Sequence, residues 1–302
     1  MSAFDISSRL PSNVRAILVC LLAYLFFDVM SVHVRFLSVR YTPQELSVYR
    51  NVFGVVPAIA LLAYTRELSF DPGDYRIRQW KLAVARGLFV ALAQFLFYTA
   101  LANLELATVS ALAQTNALFV VLIAIVVYGE RVGAWRWGAV MVGFAGALMI
   151  VRPGSDVFTW NAVLPIGAAL CYAASAVTLR SFEKTISTAI LFLYSATAAA
   201  VGAIVFAAGT TDFTPIHSTR DMLLILSMSF CGGFGVVCLM YAFRNAPASL
   251  LAPFSYFGIL SAFSLGWIIF DEFPIDTLFP GIVFIVLSGF TILWREQRGK
   301  AT

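Results

Sequence analysis

From Leu106 to Tyr128 the chain reads LATVSALAQTNALFVVLIAIVVY, 23 residues without a charge. A helix of roughly 20 apolar residues crosses the ~30 Å hydrocarbon core of a bilayer, so the run is long enough to span. Yet Gln114, Thr115 and Asn116 stand side by side near its middle. An unsatisfied polar group in hydrocarbon costs several kcal/mol. The stretch therefore predicts a membrane chain, and inside it a place where polar groups meet partners, water or a ligand.

The rest of the sequence fits that beginning. Hydrophobic residues make up 61% of the chain and charged ones 12%, against about a quarter charged in soluble domains. Ten apolar runs of spanning length are expected, at about 16–34, 46–64, 82–102, 106–128, 135–151, 161–179, 189–209, 222–243, 248–270 and 276–294. The longest connection, Thr65 to Trp80, is too short for a folded domain, so one all-α, polytopic membrane domain is expected. The six tryptophans, Trp80, Trp135, Trp137, Trp160, Trp267 and Trp294, all fall at or near predicted helix ends, where Trp prefers to sit. The first apolar run is long enough to span and has no small-residue cleavage site after it, so no cleavable signal is expected.

Charge placement reports orientation. With the N-terminus cytoplasmic, fourteen Lys and Arg fall in cytoplasmic segments and five, Arg35, Arg40, Arg50, Arg152 and Arg220, on the opposite side; Arg86 lies inside the third helix. By the positive-inside rule both termini face the cytoplasm. In a bacterium this is the inner membrane. The net charge of +4 is scattered over helix ends, so nucleic acid is not an expected partner; the bilayer and a small-molecule substrate are. Cys20, Cys171, Cys231 and Cys238 have no CxxC spacing and read as small core residues. No metal or cofactor is expected, and a monomer suffices.

The chain repeats itself. YTALANLELATVSAL from Tyr98 matches YAFRNAPASLLAPF from Tyr241, GER at Gly129 matches DEF at Asp271, and AGALMIVR ending at Arg152 matches SGFTILWR ending at Arg295. Two five-helix repeats, 1–152 and 153–302, are expected. Because five is odd, the second enters the membrane from the opposite side, an inverted repeat of the kind that places a transporter's site near mid-bilayer.

These positions also carry a family likeness. Tyr98, Glu130, Gly138 and Gly146, with Pro43 and Arg50 opening the second helix, resemble the EamA-type pattern from which the drug/metabolite transporter superfamily is built twice over. Pro280 and Ser288 stand in the second half where the first has Gly138 and Gly146, and nothing there matches Arg50, so roles at those positions do not transfer. Within the superfamily the chain resembles inner-membrane exporters of aromatic amino acids. The resemblance implies that helices 1–4 and 6–9 surround a central cavity, with 5 and 10 peripheral.

Residue chemistry supplies the candidate substrate contacts: Tyr24, Gln94, Tyr98, Gln114, Tyr172, Ser175 and Tyr256, all at mid-depth. Gln94 and Tyr98 share a helix face, and Gln114 aligns with Tyr256 through the repeat. Asn116 points about 160° from Gln114 on a helix and is expected to bond a neighbouring helix. Asp28, about 18 Å into the first helix, and His33 are candidates for proton coupling, since an ionisable group at depth is functional by default. Gly232, Gly233 and Pro253 are candidate hinge positions, with close packing the competing explanation. Thr42, Pro43 and Glu45 read as a capped helix start.

Three function classes compete. A membrane-embedded enzyme would need a nucleophile or metal set at depth, and the two histidines, His33 and His217, come with no HExxH or Walker A sequence. A channel would need rings of charge or a backbone filter. A secondary transporter fits best: an exporter of small amphipathic metabolites such as Phe, Tyr and Trp, or alternatively an exporter or exchanger of other amino acids or drug-like cations.

Overall fold

The computed structural model describes residues 12–69, 71–129, 134–152, 159–183, 185–216, 218–246, 251, 254 and 256–299. Among them the chain is helical throughout, without strands. The helices are α1 (Ser12–Leu37), α2 (Pro43–Tyr64), α3 (Trp80–Asn103), α4 (Leu106–Ala113), α5 (Asn116–Tyr128), α6 (Ala134–Val151), α7 (Leu164–Thr178), α8 (Thr188–Thr210), α9 (Thr219–Asn245), α10 (Phe257–Phe270), α11 (Ile275–Leu278) and α12 (Gly281–Gly299). Seven helical stretches are long and apolar enough to cross a membrane, and Trp137–Val151 and Phe257–Phe270 are shorter apolar helices.

Three predicted runs differ in detail. The run from Leu106 breaks at Gln114 and Thr115, where the backbone tightens to i→i+3 bonds: Gln114 N–H to Ala111 O and Thr115 N–H to Leu112 O, at 3.2 and 3.1 Å. In the ninth run Leu251 is helical, Phe254 and Tyr256 are in tighter 3-10 turns, and the continuous helix begins at Phe257; the expected start at 248 lies outside the described residues. The tenth does not run from 276: Phe279 is extended (ψ 143°) before Pro280, splitting the one-turn α11 from α12. The residue before a proline is pushed out of the helical region, and that is the physical reason for the split.

Local chemistry sets several helix ends. Thr42 and Glu45 form the expected capping box at the start of α2, with Pro43 in the first turn. Glu45 is fully buried and also accepts from the Thr214 N–H, pinning the α8–α9 link to α2. α5 and α10 both end on a left-handed residue, Gly129 (φ 63°) and Asp271 (φ 55°).

Helix ends meet in two layers, which fixes the direction of each helix. On one face Arg35, at the end of α1, pairs with Glu272 beyond α10 and donates to Leu104 O at the end of α3. Arg40 and Tyr41 reach Asp221 at the start of α9, at 3.1 and 3.2 Å, and Arg152 beyond α6 donates to Asp276 O. On the other face Glu67 accepts from Ser187 before α8, Tyr194 reaches Tyr75 O, and Tyr128 reaches Val177 O. The helices whose ends and starts these contacts join, α1 with α9 and α2 with α8, therefore run in opposed directions.

The interior is built from small residues. Ala23, Ala93, Ala100, Ala111, Ala168 and Ala173 are buried, while Val126, Trp160, Leu260 and Ile268 are exposed. This inverts the soluble pattern, as expected where lipid is the solvent and close backbone approach supplies the packing. α1 packs on α9, α3 on α7 and α8, and α2 on α8 and α9, while α6 and α12 pack chiefly on each other. In that last pair Gly146 and Gly281 face one another, and a Cβ at Gly146 would sit 2.6 Å from Gly281 O.

Candidate functional site

The buried polar side chains of the bundle join into a network across α2 and α3, bordered by α1, α7 and α9. Asn51, 1% exposed, donates through Nδ2 to Gln94 Oε1 at 2.6 Å and to Ser47 O at 2.9 Å. Its Oδ1 accepts from Arg50 Nη1 at 3.2 Å. Arg50 is 9% exposed, seven residues beyond Pro43, about 10 Å down the helix at 1.5 Å per residue. Its guanidinium lies within interaction range of Tyr98 and Tyr172. Tyr98 is fully buried, with its hydroxyl 3.6 Å from Met30 Sδ. Ser175 is buried one turn from Tyr172 on α7. Three of the residues expected at the site, Gln94, Tyr98 and Tyr172, thus border one network.

Sequence reading missed its centre. Arg50 was assigned to an outer helix end, and Asn51 was not singled out. The available signal was the Arg50-Asn51 pair inside the apolar run that follows Pro43.

A second polar contact joins α1 to α10. Asp28, 6% exposed, accepts from the Ser261 hydroxyl, and the only ion pairs among the described residues are Arg35–Glu272 and Arg40–Asp221. Tyr24, one turn away on the same face, lies beside Gly258 of α10. His33 Nδ1 donates to Val29 O of its own helix at 2.6 Å.

Other expectations are redirected. Asn116 does reach a neighbouring helix, donating to Ala169 O on α7 at 3.0 Å. Gln114 is half-buried in the α4–α5 break. Tyr256 stacks on Phe290 of α12 at 5.5 Å and 18°, and Phe290 is exposed, so the ring borders the peripheral helix instead of the Arg50 network. Gly232 and Gly233 lie within the continuous α9: a Cβ at Gly232 would meet Met30 Sδ at 2.7 Å, and one at Gly233 would overlap the Pro57 ring. Close packing accounts for both, and neither marks a bend. Pro253 and Glu130 lie outside the described residues. A cavity of about 140 Å³ opens between α2, α3 and α8, lined by Ser47, Leu88, Leu92, Phe95 and Phe206. It is a crevice edged by exposed apolar side chains, and none of the expected site residues lines it.

On the Arg35 face, Glu272 accepts from the Leu106 N–H at the start of α4 at 3.1 Å as well as pairing with Arg35. Burial pushes its carboxyl above the usual range, with the Leu106 N–H and Arg35 pulling the other way.

An all-helical bundle with a buried polar network in its interior can be compared with known proteins. The EamA-like transporter family pattern matches residues 14–152. That matched family is one of transporters, and seven helical stretches among the described residues are long and apolar enough to cross a membrane. It is 28% identical over 285 residues to the pseudopaline exporter CntI of Pseudomonas aeruginosa, covering 94% of this chain and 97% of that protein. It is 31% identical over 193 residues, 62% of each chain, to a riboflavin transporter of Rhizobium johnstonii. An S-adenosylmethionine uptake transporter of Rickettsia bellii is 24% identical over 274 residues, covering 91% and 90%. A solved crystal structure superposes with a TM-score of 0.64 at 17% identity, over 94% of this chain and 98% of that one, a likeness of fold alone.

Proposed function

We propose that this chain is an EamA-type secondary transporter that exports small amphipathic metabolites, aromatic amino acids and related compounds, by alternating access through a mid-membrane site. The observation that carries the reading is the Arg50–Asn51–Gln94 network beside Tyr98 and Tyr172 in an otherwise apolar bundle. Buried polar groups inside a membrane mark solute pathways, and two phenol rings beside them suit a planar solute. Relatives named for riboflavin and S-adenosylmethionine handle solutes that join a flat ring to polar groups. One relative is named an exporter and others for uptake, so the same fold serves both directions.

The reading includes ten crossings arranged as repeats 1–152 and 153–302, inverted in the membrane. Helix pairing supports this. The α1–α9 contact has its counterpart in α7–α3, α2–α9 in α8–α3, and α10–α1 in α5–α7, each related by an exchange of halves. The matching left-handed caps at Gly129 and Asp271 fall at equivalent places. Fourteen basic residues on the side of the chain ends, against four opposite once Arg50 is counted inside the bundle, support a cytoplasmic location for those ends in a bacterial inner membrane. Asp28, held by Ser261 with no cation beside it among the described residues, is the group we assign to proton coupling; His33, already bonded to its own helix, is the weaker choice.

Proteoliposome counterflow of labelled Phe, Tyr and Trp, with and without a proton gradient, tests the proposal. Saturable counterflow of at least one of the three is expected. Flux of all three no greater than in protein-free vesicles sinks it, and non-saturable flux would favour a pore.

A further inference from the structure

We infer that Arg50 is the receptor for an anionic group of the transported solute, a carboxylate above all. The inference rests on the transporter reading and names the substrate chemistry of the same site.

Arginine is always charged and carries five N–H donors in a planar fork. Burying that fork inside a bilayer is costly unless its donors find acceptors and its charge finds a partner. Here Nη1 has Asn51 Oδ1, an uncharged acceptor. Nε is buried with no partner, and no carboxylate pairs with the guanidinium among the described residues. Asp28, the other buried charge at comparable depth, is turned to Ser261. The fork is left holding a charge that the described protein does not neutralise.

The surroundings are built to present the guanidinium. Asn51 is fixed by Ser47 and Gln94, so its Oδ1 orients the fork from one side. Gly232 of α9 and Gly54 of α2 stand beside it, and a Cβ at either would lie 3.0 Å from Nε or 3.6 Å from Nη1. The Tyr98 hydroxyl, whose proton is turned to Met30 Sδ, is an uncharged acceptor for the guanidinium, and Tyr172 lies nearby and can donate to a carboxylate's remaining lone pairs. A carboxylate bound edge-on to arginine makes two parallel charge-assisted bonds, which is what an incompletely used fork can accept.

Arg86 lies at similar depth, six residues beyond Trp80 on α3, and its Nε is also without a partner, with Nη1 on Ser195 Oγ at 2.7 Å. What sets Arg50 apart is its place beside Asn51, Tyr98 and Tyr172, where a drug-like cation would meet the wrong sign of charge.

The test compares each labelled aromatic amino acid with its carboxamide in proteoliposome counterflow. The two differ in charge and scarcely in shape. Wild-type protein should favour the carboxylate at least tenfold. Arg50→Gln should lower carboxylate counterflow at least tenfold and abolish the preference, and Arg50→Lys, which keeps the charge without the fork, should fall between. Should Arg50→Gln fail to reach the membrane, the wild-type preference and its reduction in Tyr172→Phe decide the matter. Equal carriage of acid and amide by wild-type protein overturns the inference while leaving a transporter. Carriage of neither removes the solute class, and this inference with it.

Discussion

The contact between Asn51 and Gln94 can be weighed by a double-mutant cycle. Asn51→Leu removes the 2.6 Å donor to Gln94 Oε1 and the 3.2 Å acceptor of Arg50 Nη1 together. Orphaning a buried partner costs about 1–3 kcal/mol in soluble proteins, but inter-helix hydrogen bonds in membranes average about 0.6 and reach about 1.7 kcal/mol, because partners re-pair. The Gln94 contact belongs to the second scale, and the charged Arg50 contact to the first. Asn51→Leu should therefore destabilise by about 2–4 kcal/mol. Gln94→Met should cost under about 1 kcal/mol, because Asn51 Nδ2 keeps Ser47 O at 2.9 Å. The double variant should be less destabilised than the sum by about 0.6–1.7 kcal/mol. Reversible unfolding of the four proteins in detergent micelles measures this. Additivity within about 0.3 kcal/mol would refute the claim that these side chains stabilise one another.

Other expectations follow from the same geometry. Asn116→Leu removes only the bond to Ala169 O, so it should cost about 0.6 kcal/mol and leave counterflow within twofold of wild type; a tenfold loss would place Asn116 at the site. Gly146→Leu forces a side chain against Gly281 O and Phe284 and should lower the melting temperature in detergent by several degrees, since overpacking costs about 1–3 kcal/mol; an unchanged melting curve contradicts the close α6–α12 approach. At Glu272 the raised carboxyl pKa means that its contribution to stability is full below the free-glutamate range and is lost as pH rises through the folded value. Glu272→Gln should thus match or exceed wild-type stability at pH 7.5, whereas Arg35→Gln, which leaves that carboxylate unpaired, should fall below it; the reverse order in thermal unfolding would be fatal to this reading. A single cysteine at position 152 should label from the periplasm in whole cells, and labelling only after lysis would invert the orientation.

Much of the scaffold was legible because apolar length and helix-end chemistry are local. The run from Leu106, the Thr42–Glu45 cap and the reach of Asn116 to another helix could each be read from the segment that holds them. What failed was rotation about the helix axis. A span that is apolar nearly all round carries little record of which side faces lipid, so Tyr256 was turned toward a centre when it stacks on Phe290. The glycines of α9 were ambiguous for a related reason: a missing side chain looks the same whether it permits bending or the approach of Met30 and Pro57. Arg50 was hidden by its nearness to the start of α2, where a basic residue is usually read as a topology signal. Only the neighbouring helices reveal that Tyr98 bonds it and Tyr172 lies within range of its charge.

Glu272 takes the Arg35 cation and the first amide of α4 with one carboxylate, so three helices, α1, α4 and α10, share a single fastener. If α1 or α10 swings away alone a charge is stranded, and if α4 does, its first amide loses its acceptor. That face of the barrier releases as a unit or stays shut, an all-or-none seal that would keep small ions from slipping past while a larger cargo is in transit.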